Sequence, residues 1–123
     1  MSPLDVALVA AGAAAGAVMR HLVGIGATRA FGLDFPWGTL AVNVAGSFLM
    51  GLLFAALMRG ELAGNAHGVR LVAATGFLGG FTTFSAFSLE IVLLAERGAV
   101  GLAAAYVAAS VGLGVAALVL GLS

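Results

Sequence analysis

The chain has 123 residues, 63 % of them apolar and 8 % charged, with five basic and five acidic residues and a formal net charge of zero. So little charge cannot clothe a water-facing surface, for which a soluble domain uses roughly 25 % charged residues, and a mean hydropathy of +1.20 points to lipid as the solvent. Zero net charge argues against a nucleic-acid partner, the absence of cysteine excludes disulfides and thiolate–metal sites, and two histidines are too few for a metal cluster.

Met1–Asp5 lacks the basic stretch of a signal peptide, and the apolar run behind it is too long for an h-region, so the N-terminus reads as the start of a span. The hydrocarbon core asks for about 20 apolar residues per helix. The first run, from about Leu4 to Phe31, exceeds that and ends at Gly32-Leu33-Asp34-Phe35-Pro36. Pro36 is placed to open the second span, Trp37 to about Met58, with the Trp37 ring at the membrane interface. The stretch Arg59–Gly68 is a polar, glycine-containing loop, and His67 reads as one of its solvated residues. The third span runs from about Val69 to Ala95, Glu96-Arg97-Gly98 is a turn, and the fourth span runs from about Ala99 to Leu120. The fold class is therefore all-α: a single four-span transmembrane domain over residues 1–123, without internal repeat.

Four spans put both termini on one side. Orientation follows the Lys/Arg bias of short loops. There is no lysine. Arg59 and Arg70 flank the loop on the terminal side, and Arg29 and Arg97 lie on the other, so the count is two against two and specifies no orientation. Either a weak bias is hidden by the span boundaries, or the protein inserts both ways. Transport proteins are often built from inverted repeats, and a chain with no repeat obtains that symmetry by pairing with an inverted copy of itself.

Polar residues repeat at helical spacing inside the spans. Gly12, Gly16 and Arg20 do so in the first, Thr39, Asn43 and Ser47 in the second, and Tyr106, Ser110 and Gly114 in the fourth. Asn43 lies about a third of the way into its span, where a neighbouring helix or a ligand must satisfy its amide. Arg20 is the costliest residue to expose to lipid; it either snorkels to the interface or points into a cavity, where it concentrates anions. His21 reads as interfacial.

The third span contains Gly76-Phe77-Leu78-Gly79-Gly80-Phe81-Thr82-Thr83-Phe84-Ser85 near mid-membrane. Each glycine weakens a helix by about 1 kcal/mol relative to alanine, and the threonines add stiffness and competing hydrogen bonds. Together they predict an unwound turn between two half-helices; the plain alternative is a glycine packing patch in an unbroken helix. Unwound backbone at this depth must be buried in protein or line water, and its free carbonyls suit a hard cation such as Na+. Downstream, Thr83, Phe87 and Glu90 share one face, with Phe84 and Ser88 on the adjacent row. Glu90 either sits near the membrane edge beside water or an arginine, or belongs to a pathway. Hydroxyls, an amide, one arginine and one peripheral acid suit an anion better than a cation.

Gly38-Thr39-Leu40-Ala41-Val42-Asn43-Val44-Ala45-Gly46-Ser47-Phe48 resembles the second-span motif of the Fluc (CrcB) fluoride channels. Gly76 to Ser88 resembles their third-span motif, and Gly12-xxx-Gly16-xxx-Arg20 their first span. The resemblance covers nearly the whole chain. Ala86 departs from it, standing where a hydroxyl residue is common, and Gly114 stands where the family often has serine. The resemblance implies a fluoride-selective channel, not an enzyme, in the plasma (inner) membrane of a bacterium. It also implies an antiparallel, dual-topology homodimer with two pores and a structural Na+ at its centre. By motif position the carbonyls of Gly79 and Thr82 would hold that ion. Asn43, Phe84 and Phe87 would line the pores, Thr39, Tyr106, Ser110 and Glu90 would lie on or near the polar track, and Arg20 would belong to the vestibule. Two rival classes bear on the residues. A small multidrug exporter needs a membrane-embedded carboxylate, generally in the first span, where this chain has Arg20 and no acid beyond Asp5. A non-transporting assembly subunit would have no need of freed backbone.

Overall fold

A computed structural model describes residues 1–123 and is helical throughout. The elements are α1 (Pro3–Phe31), α2 (Trp37–Met58), α3 (Ala66–Val69), a π-helical segment (Arg70–Leu78), α4 (Gly79–Phe81), α5 (Ser85–Glu96) and α6 (Val100–Leu122). Four of the resulting rods are long and apolar enough to cross a membrane: α1, α2, the composite Ala66–Glu96, and α6.

Local chemistry sets the helix ends. Ser2 caps α1 in a reciprocal box: its Oγ accepts from the Asp5 N–H at 3.2 Å, and Asp5 Oδ2 accepts from the Ser2 N–H at 3.1 Å. Pro3 fills the first turn, where its missing N–H costs nothing. α1 stops at Gly32, which adopts φ 82°. Arg29 sits in the last turn, favoured by the helix dipole.

Expected and observed spans agree except in the third. The rod begins at Ala66, three residues early, so His67 lies on α3 instead of in a loop. Its Nε2 meets Asp5 Oδ1 at 3.1 Å, tying the start of this span to the start of α1. From Arg70 to Leu78 the helix is widened, and the Gly79 N–H reaches the Ala74 carbonyl five residues back. The glycines are not unwound: Gly76 lies in the widened helix and Gly79 and Gly80 in α4. The break falls later, at Thr82-Thr83-Phe84, where Thr82 turns extended at φ −88°, ψ 160°. The span is broken between two half-helices as expected and is not the unbroken helix of the alternative, but the break falls at the threonines, while Gly76 and Gly80 stay helical and pack against α1.

Glycine packing makes the bundle. A Cβ on Gly12 or Gly16 would strike the carbonyl of Val72 or Phe77, and one on Gly80 would lie 2.5 Å from the Ala13 carbonyl. α1 therefore seats its backbone directly on the widened segment and α4. Gly51 and Gly121 do the same between α2 and α6, the most extensive pairing in the chain. Two small apolar clusters complete the interior: Leu40, Leu94, Ala103 and Tyr106, and Val42, Leu78 and Phe81. Only 16 of 123 residues are buried, so most of each span faces outward with apolar side chains, as a lipid-embedded chain requires.

Candidate functional site

Asn43 of α2 is the pivot of the broken span. Its Oδ1 accepts from the Thr83 N–H at 2.8 Å, and its Nδ2 donates to the Thr83 carbonyl at 3.1 Å. One amide side chain thus replaces the helical ladder at the break, which answers the cost of unpaired backbone in a membrane. Thr82 Oγ1 donates back to the Leu78 carbonyl at 2.8 Å, and Thr83 Oγ1 caps α5 by accepting from the Ala86 N–H at 3.2 Å. The carbonyls of Gly79 and Thr82 receive no hydrogen bond from the chain. Gly79 is exposed and Thr82 half-buried on the face of the single chain. Donor-free carbonyls on a groove lined by no carboxylate could serve a hard cation held by oxygen alone.

That face is a groove of about 500 Å³. Asn43, Ser47, Thr82, Phe84, Phe87 and Ser110 line it, together with Gly79 and Thr83, and no ionisable side chain does. Most residues expected on a pore or ion site are therefore brought together. Ser110 Oγ is buried and has no partner. The second Asn43 amide hydrogen is likewise unused within the chain, since Nδ2 makes a single bond. Phe84 is 78 % exposed, so one chain supplies only one side of any pore at this position. Thr75 and Met50 also line the groove and were not singled out from sequence. For Thr75 the signal was present: it stands four residues before Gly79, on the same helical stripe.

A second cluster adjoins the first. Phe87 packs against Tyr106 with ring centroids 5.0 Å apart and planes at 66°, an edge-on contact. Tyr106 Oη donates to Glu90 Oε1 and Thr39 Oγ1 donates to Glu90 Oε2, each at 2.9 Å. Glu90 is half-buried, and each of its carboxylate oxygens accepts from a hydroxyl. Asp5, the one acid of the first span, sits in the first turn bound to Ser2 and His67, away from this cluster. That placement gives no support to a proton-coupled exporter built on a first-span carboxylate.

Arg20 lines a cavity of about 480 Å³ on the other side of Thr83 and Thr39, both of which contribute to its wall. Its Nε donates to the Gly80 carbonyl at 3.0 Å. Arg20 thus borders a cavity, as one of its two expectations had it, and also helps fix α4. Beyond the sequence reading, Arg97 donates to the Asp34 carbonyl, strapping the α5–α6 turn to the α1–α2 loop.

Residues 7–122 match the family described as CrcB-like protein, Camphor Resistance (CrcB). A protein of Chelativorans sp. (strain BNC1) named fluoride-specific ion channel FluC is 59 % identical, over 94 % of this chain and 90 % of its own length. The protein of that name from Agrobacterium fabrum is 52 % identical, over 98 % and 94 %. The one from Novosphingobium aromaticivorans is 54 % identical, over 95 % and 92 %.

Proposed function

The chain belongs to the CrcB family, and from that premise we propose that it is a fluoride-selective channel that lets fluoride leave the cytoplasm passively. The observation that carries the reading is the uncharged groove with unspent donors. Fluoride is small and strongly hydrated, so a pore must replace its water with hydrogen-bond donors. The free Asn43 amide hydrogen and the orphan Ser110 hydroxyl are such donors. Phe84 and Phe87 add ring edges, which carry the positive end of the aromatic quadrupole. Such edges attract an anion weakly, which lets it leave again, as conduction demands.

Thr39, Tyr106 and Glu90 continue the polar track past Phe87. The two hydroxyls are committed to the carboxylate here. An anion passing them competes with Glu90 for those protons, which makes the carboxylate a place-holder for the permeating ion.

A single chain leaves Phe84 and the groove open on one side. The proposal closes them with a second, antiparallel copy, giving two pores per homodimer. The even arginine count supports insertion in both orientations. Gly79 and Thr82 from each copy would hold a structural Na+ through their donor-free carbonyls. Such an ion would supply positive potential at the dimer centre and cross-link the two chains. Arg20 would hold the entrance.

The test is to reconstitute the protein in liposomes and follow fluoride release with a selective electrode. Rapid fluoride release with no matching chloride release is expected. No release, or equal release of both ions, would refute the reading.

A further inference from the structure

The cavity that holds Arg20 contains more positive charge than Arg20 alone. Arg20, His21 and Arg29 all line it, on two adjacent rows of α1 spaced by fours. His21 and Arg29 lie eight residues apart, about 12 Å along the helix. No Asp or Glu contributes to the wall. α2 presents only Thr39 among its polar groups, and the broken span presents Thr83 before Ala86; none of these titrates. Glu90 lies one turn past Ala86, and both its oxygens are already taken by Thr39 and Tyr106. Asp34 and Arg97 line the adjoining cavity, which shares Gly24, Thr28, Gly38 and Thr39 with this one, and Arg97 donates to the Asp34 carbonyl. His21 and Arg29 make no hydrogen bond or ion pair within the chain. Arg20 spends its Nε on Gly80, leaving its terminal nitrogens unpaired.

We propose that Arg20, His21 and Arg29 form an anion-collecting mouth whose strength is set by the proton on His21. The proposal rests on the channel reading above. The mouth leads inward to Thr83, which Asn43 grips from the groove side, so an anion gathered here stands one residue from the pore donors. Histidine as a residue type gains its charge as pH falls from about 8 to 5. With no acid in the wall to neutralise it, a charged His21 adds directly to the arginines. A unit charge within several ångströms of an ion in a wet cavity raises its local concentration about threefold. Collection acts on the approach of the ion, so it raises flux at low fluoride and leaves the maximal rate alone.

The experiment uses the full chain in phosphatidylcholine liposomes, whose surface charge is constant across the range. Fluoride release is coupled to potassium through valinomycin, and protein-free vesicles give the leak of undissociated acid at each pH. At sub-saturating fluoride the wild type is expected to conduct about threefold faster at pH 5.5 than at pH 8.0, with the difference vanishing at saturation. His21→Gln is expected to be flat across the range. His21→Lys is expected to be flat too, and faster than His21→Gln. A wild type indifferent to pH, or a His21→Gln variant that keeps the rise, overturns the proposal. No valinomycin-coupled fluoride release from the wild type at any pH would overturn the channel reading itself.

Discussion

Asn43 and Ser110 face the same groove, yet they stand in opposite energetic positions. Asn43 holds both the N–H and the carbonyl of Thr83, so its replacement strands a backbone donor and acceptor in the membrane, at a cost of about 1–3 kcal/mol. Ser110 has no internal bond to lose. Burying a hydroxyl without a partner is itself unfavourable by about 1–3 kcal/mol. Ser110→Ala should therefore leave thermal stability in detergent unchanged or slightly raised, while fluoride flux falls several-fold. A variant that lost stability and kept its flux would assign Ser110 to packing instead. This separation is possible because the Ser110 hydroxyl makes no hydrogen bond within the chain.

At the scale of elements, α1 and the broken span meet backbone to backbone. Gly16→Val would drive a branched side chain into the Phe77 carbonyl, which neighbouring turns hold in place. Overpacking of this kind costs about 1–3 kcal/mol, and the expected result is a drop of several degrees in the unfolding midpoint measured in detergent. Gly101→Ala is the control: nothing lies within 4 Å of its Cβ, and alanine is the better helix former by about 1 kcal/mol. The contrast also marks what was legible in the sequence. Four spans, the Gly12-Gly16-Arg20 row and the Asn43 stripe follow from hydropathy and helical spacing alone. The exact place of the break does not. The three glycines look weakest by propensity, but Gly76 and Gly80 pack closely against α1 and all three stay helical, while the side chain of Asn43 takes up the freed backbone of Thr83. The widened helix over Arg70–Leu78 has no sequence mark, because it depends on where Val72 and Phe77 meet α1. The partners of Glu90 were hidden for a similar reason: Thr39 and Tyr106 lie 51 and 16 residues away.

For the whole molecule the decisive quantity is the near absence of orientation signal. Arg29 and Arg97 balance Arg59 and Arg70, so a few added charges should tip insertion. Leu33→Lys with Asp34→Lys loads one side, and Glu61→Lys with Ala63→Lys loads the other. All four positions are outside the spans, in the α1–α2 and α2–α3 connections. If the working unit is antiparallel, each double variant expressed alone should lose most of its fluoride flux, and co-expression of the two should restore it. Full flux from either variant alone would make the unit parallel or monomeric.

Much of the polar surface at the break is main chain: the Thr83 N–H and the carbonyls of Gly79, Thr82 and Thr83. Side-chain mutagenesis leaves such atoms where they are. An alanine scan across Gly79–Phe84 therefore reports on shape and helix stability, and a mild phenotype at Thr82 says nothing about its carbonyl. Only surgery on the peptide itself reads these groups. An amide-to-ester exchange at residue 83 deletes the N–H that Asn43 accepts and weakens the Thr82 oxygen in the same atom-sized edit. On the proposed reading, the chemistry that this segment would offer an ion is encoded by where the chain unwinds, and a catalogue of side chains would miss it.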